Sequence, residues 1–298
     1  MRNANVRICT DVDWENMRHL LAVAKSGTLS GAARELGVDH ATVGRRVAAL
    51  EAQLQTPLVE RLPRSCRLTA AGLLTVEQAR RMESAAFDVT RHVKARQVSL
   101  SGRVTLSTSP VLATHFIAPL LFDFRQKYPQ IQLSISAHAH QVSLSRGEAD
   151  IAVRHVRPSE PSNVARRVGK MCFDLYASRT YPELSVPENW AFIAYEREFS
   201  EMPQQKWLLE IAGSRQVACE LSDISSHMVA ARSGMGVAGL PRFIGDADPG
   251  LIKLEHNGMS FSRELWLVTH RDMKRSAIVR AVMDYFAESF ANNVELRP

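Results

Sequence analysis

The chain has 298 residues, 45% of them hydrophobic and 23% charged, with a formal net charge of +6. That composition suits a globular protein of two or three domains whose core needs no disulfide or metal staple. Its longest unbroken apolar run, residues 116–122, is seven residues long and contains Pro119, well short of the roughly 20 apolar residues a membrane-spanning helix requires.

The positive charge is unevenly placed. Residues 1–100 hold 15 Lys/Arg against 10 Asp/Glu, whereas residues 101–298 carry a net charge of only +1. Within that first third, Trp14, Met17, Leu20, Leu21 and Ala24 recur at helical spacing and predict a helix over 13–25. Ser26-Gly27-Thr28 breaks it. A short second helix over 29–36 shows a small apolar face of Ala32, Ala33 and Leu36, and Gly37 stops it. A third helix over 41–54 buries Val43, Val47, Leu50 and Leu54 in one stripe and leaves Thr42, Arg45, Arg46 and Ala49 on the opposite face. Two short helices joined by a tight glycine turn form a helix-turn-helix, whose second helix fits a DNA major groove about 12 Å wide. After Pro57, a strand, a tight basic turn and a second strand place Arg61, Arg64 and Arg67 on a wing suited to backbone phosphates. Glu35 and Glu51 are expected to point away from the DNA.

Thr69 can cap a long helix over 70–96. Along it Ala79, Met82, Ala86, Val89 and Val93 are spaced 3, 4, 3, 4, the seam of helices that pair with one another. From about residue 102 strands and helices alternate, which predicts a mostly parallel sheet. Strands are expected at 104–107, 131–136, 150–153 and 265–269, with a turn and a short strand within 234–241, and helices at 110–128, 142–147, 222–233 and 277–290. Ligands in open α/β sheets sit at the carboxyl ends of strands. The candidate ligand-binding residues are therefore Thr108, Ser109, His138, His140, Arg154, His155, Ser222 and Ser225, with Phe199 from the loop 194–203 as a wall. Arg154 is the leading candidate, because its planar fork suits a carboxylate. His138 and His140 lack a third ligand, so no metal site is expected.

Residues 14–72 resemble the winged helix-turn-helix of the LysR-type transcriptional regulators. The run Gly27-Thr28-Leu29-Ser30-Gly31-Ala32-Ala33-Arg34-Glu35-Leu36-Gly37-Val38 carries the resemblance. It continues through Ala41-Thr42-Val43-Gly44-Arg45-Arg46-Val47 and ends in Pro57-Leu58, Arg61, Arg64, Leu68-Thr69 and Ala71-Gly72. Asp39-His40 stand where the family usually has Ser-Gln, and Gly44 where it commonly has Ser. Further on, Gly147-Glu148-Ala149-Asp150-Ile151-Ala152-Val153-Arg154 and Gly234-Met235-Gly236-Val237-Ala238-Gly239-Leu240-Pro241 resemble its two recurrent effector-domain motifs.

The resemblance implies an α+β chain with a winged helix-turn-helix over 1–70 and a linker helix over 71–97. A two-lobed α/β effector-binding domain similar to periplasmic binding proteins follows over 102–298. Lobe one would take about 102–165 and 268–298, and lobe two about 166–267, with crossings near 164–168 and 267–270. The implied DNA-contacting residues are Ser30, Ala32, His40, Thr42, Arg45, Arg46, Arg61, Arg64 and Arg67. Also implied are a homodimer through paired linker helices, a homotetramer, an inverted-repeat promoter site, a small and anionic effector, and contact with RNA polymerase.

Two other functions are weighed against this. An enzyme is disfavoured, because no nucleophile elbow, phosphate loop, dinucleotide fingerprint or His-Glu-x-x-His occurs. A ligand-free architectural DNA binder would not need some 190 residues of nearly uncharged α/β domain. The four cysteines at 9, 66, 172 and 219 form no Cys-x-x-Cys pair, and the N-terminus lacks a secretory apolar run. The expectation is a cytoplasmic protein with no cofactor and no membrane partner.

Overall fold

The computed structural model describes residues 12–63, 65–95, 99–137 and 143–297. The chain divides into two compact units, Met1–Arg91 and His92–Pro298, each with its own hydrophobic core.

In the first unit every helix is punctuated by its sequence. Helix α1 (Trp14–Ser26) starts on Asp13, whose carboxylate accepts from the Glu15 N–H, and ends on Gly27 at φ 68°. Helix α2 (Leu29–Leu36) starts on Thr28 and ends on Gly37, also at φ 68°, the left-handed conformation that glycine adopts without a Cβ penalty. Helix α3 (His40–Leu54) is capped by Asp39, which accepts the Thr42 N–H at 2.7 Å. Strands β1 (Val59–Leu62) and β2 (Ser65–Leu68) pair antiparallel as the wing hairpin. Leu20, Val43, Val47, Leu50 and Leu58 are fully enclosed between these elements. Helix α4 (Ala70–Ala95) closes the unit. Thr69 joins it to the wing, donating to the Pro57 carbonyl at 2.8 Å and accepting the Gly72 N–H at 2.9 Å. A Cβ on Gly72 would stand 2.1 Å from the Leu58 carbonyl oxygen, so only glycine permits this approach. The predicted seam of α4 divides in use. Ala79 is spent on the unit's core, whereas Met82, Val89 and Val93 are exposed. Arg96, the last residue of the predicted helix, lies outside the described residues.

The second unit begins with β3 (Gly102–Thr108), followed by α5 (Pro110–Leu112), a π turn (Ala113–Ile117) and α6 (Ala118–Lys127). The π turn ends two residues before Pro119, which has no N–H to offer a regular helical ladder. Strands β4 (Ile131–Ala137) and β5 (Ile151–Arg154) both pair parallel with β3. Strand β6 (Asn163–Ser178) leads to β7 (Phe192–Tyr195), α7 (Pro203–Ala212), β8 (Val217–Leu221), α8 (Ile224–Arg232) and β9 (Val237–Pro241). Helix α9 (Arg242–Gly245), β10 (Leu251–Leu254), β11 (Phe261–His270) and α10 (Ala277–Asn292) complete the unit.

The strand order is β4-β3-β5-β11-β6-β9-β7-β8, with β10 also on β6. Two parallel groups, β4-β3-β5 and β9-β7-β8, flank the long antiparallel pair β6–β11. That pair runs through both halves and shifts register between Leu265 and Trp266. Helix α10 seals the first half by stacking Phe290 on Phe116 at 4.3 Å.

Two expectations are corrected. Residues 143–147 form a turn rather than part of a helix, closed by Gly147 at φ 69° and by the Ser143 N–H donating to the Glu148 carboxylate at 2.7 Å. So short a segment cannot repay helix nucleation on its own, and Val142 lies outside the described residues. The strand expected at 265–269 starts four residues earlier, at Phe261.

Candidate functional sites

On the first unit the exposed side of α3 forms a polar ridge. His40 and Arg45 are exposed and Thr42 is half-buried between them. The Thr42 hydroxyl donates to Asp39 at 2.9 Å and accepts from Arg45 at 3.1 Å. The same Thr42 N–H and hydroxyl hold the Asp39 carboxyl below its ordinary range. Asp39 thus acts as a helix cap that orders the ridge. Arg46 is drawn back toward α1, 3.4 Å from both Asp13 and the Asn16 side-chain oxygen.

The wing is tied to this ridge. Arg61 is exposed and donates to the Gly44 carbonyl at 3.3 Å. A Cβ on Gly44 would meet that guanidinium at 4.0 Å, ordinary contact, so the approach of Arg61 does not itself require glycine. Arg67 is exposed on β2, and Ser30 is exposed at the start of α2. Arg64 lies outside the described residues. The two acidic residues are accounted for. Glu35 pairs with Lys25 at 2.8 Å, and Glu51 accepts the Leu58 and Val59 N–H groups at 2.7 and 3.0 Å, bracing the wing. One expected contact is overturned. Ala32 has 0% exposure, because its methyl is the small surface on which the neighbouring helices pack, and it cannot touch DNA.

In the second unit, the carboxyl ends of β3 and β5, the middle of β6 and the start of β11 face α8 across a cavity of about 220 Å³. Val153, Met171, Phe173 and Pro241 give it apolar walls. Ser109, Arg154, His155, Ser222, Asp223 and Arg263 bring polar groups, with Tyr195 and Gln204 beside them. Four of the nine predicted effector residues therefore line it: Ser109, Arg154, His155 and Ser222. Thr108 does not. It has 1% exposure, packed into the interior at the end of β3. Ser225 is also off the cavity wall and donates its N–H to the Asp223 cap at 3.0 Å. Phe199 stands behind Tyr195, with ring centroids 6.1 Å apart, and does not line the cavity. His138 and His140 lie outside the described residues.

Arg263 is the principal residue that sequence reading missed. It is half-buried and donates to Gln204 at 3.2 Å. Among the described residues no carboxylate stands within ion-pair distance of it. Burial pushes its guanidinium below the usual arginine range, with Tyr195 opposing. Arg154 is lowered likewise by burial, opposed by Glu160, and its guanidinium lies 3.5 Å from the Ser107 hydroxyl. The Trp266–Arg154 pairing is what brings β5 and β11 side by side here.

His155 is driven down to about 4, first by burial and then by Arg263 and Arg154. The ring is therefore neutral at pH 7, and its Nδ1 has no hydrogen-bond partner among the described residues. The buried Ser109 hydroxyl is in the same condition. For Asp223 burial works upward, but hydrogen bonds from Ser226 and Ser225 outweigh it and hold the carboxyl low. The cavity thus sets two half-buried guanidiniums beside a neutral imidazole and a hydroxyl, with the Asp223 carboxylate on the same wall.

Known proteins resemble both units of the chain. Residues 14–73 match the family described as bacterial regulatory helix-turn-helix protein, lysR family. Residues 97–291 match the LysR substrate binding domain. The Mau operon transcriptional activator of Paracoccus denitrificans is 27% identical over 283 residues, covering 95% of this chain and 98% of the relative. The AhcY transcriptional activator HvrB of Rhodobacter capsulatus is 30% identical over 246 residues, covering 76% and 81%. Such relatives are transcriptional regulators and not enzymes. Among solved structures, CrgA from Neisseria meningitidis, a LysR-type transcriptional regulator, superposes with TM-score 0.56 at 21% identity, covering 94% and 100% of the two chains. Full-length CbnR in complex with its target DNA gives TM-score 0.58 at 18% identity, covering 93% and 100%. At these identities the structural likeness speaks for the fold.

Proposed function

Since the chain belongs to the LysR-type transcriptional regulators, we propose that the α3 ridge and the wing arginines dock on duplex DNA while the cleft of the second unit holds a small anionic effector. His40, Thr42 and Arg45 face base edges in the major groove, with Ser30 alongside. Arg61 and Arg67 contact phosphate, and Arg64 takes the same role. Arg46 fixes α3 to α1 and contributes to the DNA face only at its margin. Two copies join through α4, for which the exposed Met82, Val89 and Val93 supply an apolar seam. That pairing sets two half-sites of an inverted repeat in register, and a homotetramer follows from a further pairing of effector domains. The effector domains at the promoter offer a contact for RNA polymerase, and the setting for all of this is the cytoplasm.

The observation that carries the effector reading is Arg263, a half-buried cation with a side-chain amide for company and no carboxylate partner among the described residues. A small carboxylate would restore its charge balance while Ser109 and the neutral His155 ring donate or accept alongside. Arg154 lies on the opposite strand of the same cavity. The cavity spans both halves of the sheet, so an occupant biases the angle between them and with it the geometry of the assembly on DNA. The test is a thermal-shift panel of small carboxylic acids set against their uncharged amides. Stabilisation by an acid and not by its amide supports an anionic effector. Equal stabilisation by acid and amide would overturn the anionic assignment.

A further inference from the structure

At the other end of the β6–β11 pair from the cleft there is a second concavity, of about 700 Å³. It lies where β6 begins and β11 ends, bordered by a 3-10 turn (Arg271–Arg275) and by the middle of α10. Arg166, Arg271, Lys274, Arg275 and Arg280 surround it, all exposed. A single acidic residue, Asp284, lines it and is paired with Arg166 at 3.4 Å. The other four cations have no ion-pair partner among the described residues. This concentration stands out because residues 101–298 as a whole carry a net charge of only +1.

The rest of the lining narrows the occupant. Val164, Ala165 and Met283 are apolar and small or flexible, and the Thr269 hydroxyl is committed to the Asp150 carbonyl at 2.8 Å. No aromatic ring lines the concavity, so it lacks the aromatic platform on which single-stranded nucleic acid is stacked. What is offered is a set of cationic donors on rigid elements, three of the four unpaired ones being arginines, whose forks match phosphate oxygens. We propose that this groove is a second, sequence-independent DNA contact, in which the effector domain holds backbone phosphates of duplex extending beyond the segment gripped by the helix-turn-helix units.

Backbone contacts leave a thermodynamic signature that base contacts do not. Each phosphate neutralised steepens the decline of log K with log salt by about 0.9. The experiment uses the full chain, with mixed-sequence duplexes of about 20 and about 60 base pairs titrated across salt. Two variants are compared with the parent: Arg271→Gln/Lys274→Gln/Arg275→Gln, which removes three exposed charges, and Arg271→Lys/Arg275→Lys, which keeps them. The parent is expected to show a steeper salt slope on the long duplex than on the short one. The neutral variant should lose about two to three units of slope on the long duplex, keep its short-duplex binding, and melt at the same temperature. The charge-keeping variant should retain the parent's slope. Equal slopes for parent and neutral variant on the long duplex would overturn the proposal. It would equally be overturned if inorganic tripolyphosphate stabilised the parent but not the neutral variant while long-duplex slopes stayed equal, because the groove would then be a site for a small polyphosphate. Equal losses on short and long duplexes would also overturn it, placing the effect in the helix-turn-helix unit.

Discussion

Arginines on the two units face opposite physical circumstances. On the first unit Arg45, Arg61 and Arg67 are exposed and held only by light contacts to Thr42 and the Gly44 carbonyl. In the second unit Arg154 and Arg263 are half-buried among apolar walls, and burial has lowered both. An exposed guanidinium keeps its water and meets a partner through long-range attraction, which salt screens. A half-buried one has already lost water, so it gains most from a partner small enough to enter and is screened least. The same side chain thus serves a polyanion on one unit and a small anion in the other, and burial is what separates the two roles.

Breaking one unit should leave the other readable. Leu50 is fully enclosed in the first unit's core, and Leu50→Ala should cost roughly 2–5 kcal/mol of that unit's stability. Calorimetry should show the first unit's transition moving down, and carboxylate-induced stabilisation of the second unit should persist. The second unit has its own pH signature. Folded His155 protonates near 4, whereas the unfolded ring protonates near 6.5. Between these values the unfolded chain binds the extra proton, so stability is retained above about pH 6.5 and declines as pH falls toward 4, by up to about 3 kcal/mol. Denaturant titrations of the parent and of His155→Gln at pH 7 and pH 4.5 should show the variant losing less on acidification.

Smaller effects sharpen the contrast in salt dependence. Arg263→Met should weaken binding of the best stabilising carboxylate by about 10- to 100-fold, read by calorimetric titration, with little change between low and moderate salt. Arg61→Ala should weaken DNA binding a few-fold on every sequence tested and lower the salt slope by about one. A carboxylate site as salt-sensitive as the DNA face would erase the distinction drawn between exposed and half-buried arginines.

The first unit was legible because its determinants are local. Gly27, Thr28, Gly37 and Asp39 stop and start helices within a turn of where they stand, and the apolar stripe of α3 is its buried face. Ala32 shows the limit even there, since membership of a matching motif placed on the DNA face a side chain that packing hides. In the second unit alternation marks β3 and β4, and a short apolar run marks β5, but no such signal marks β7, α7, β8 or β10. Strand β7 is buried at every position, which erases the period-two signal. The cleft was half legible. Ser109, Arg154 and His155 lie within two residues of the ends of strands expected at 104–107 and 150–153, so the carboxyl-end rule finds them. Arg263 sits at the start of β11 and reaches the cavity only because β11 pairs with both β5 and β6, a long-range register that no local pattern reports.

Sequence-specific DNA reading by the α3 ridge is the central proposal, and selection from random duplex DNA tests it most directly. The purified full chain is incubated with the pool at moderate salt and the retained duplexes are sequenced. Enrichment of an inverted repeat, its half-sites about one helical turn apart, is the predicted result. A retained pool as random as the input, bound tightly at low salt and released as salt rises, would contradict base reading by His40, Thr42 and Arg45 and leave only backbone attraction.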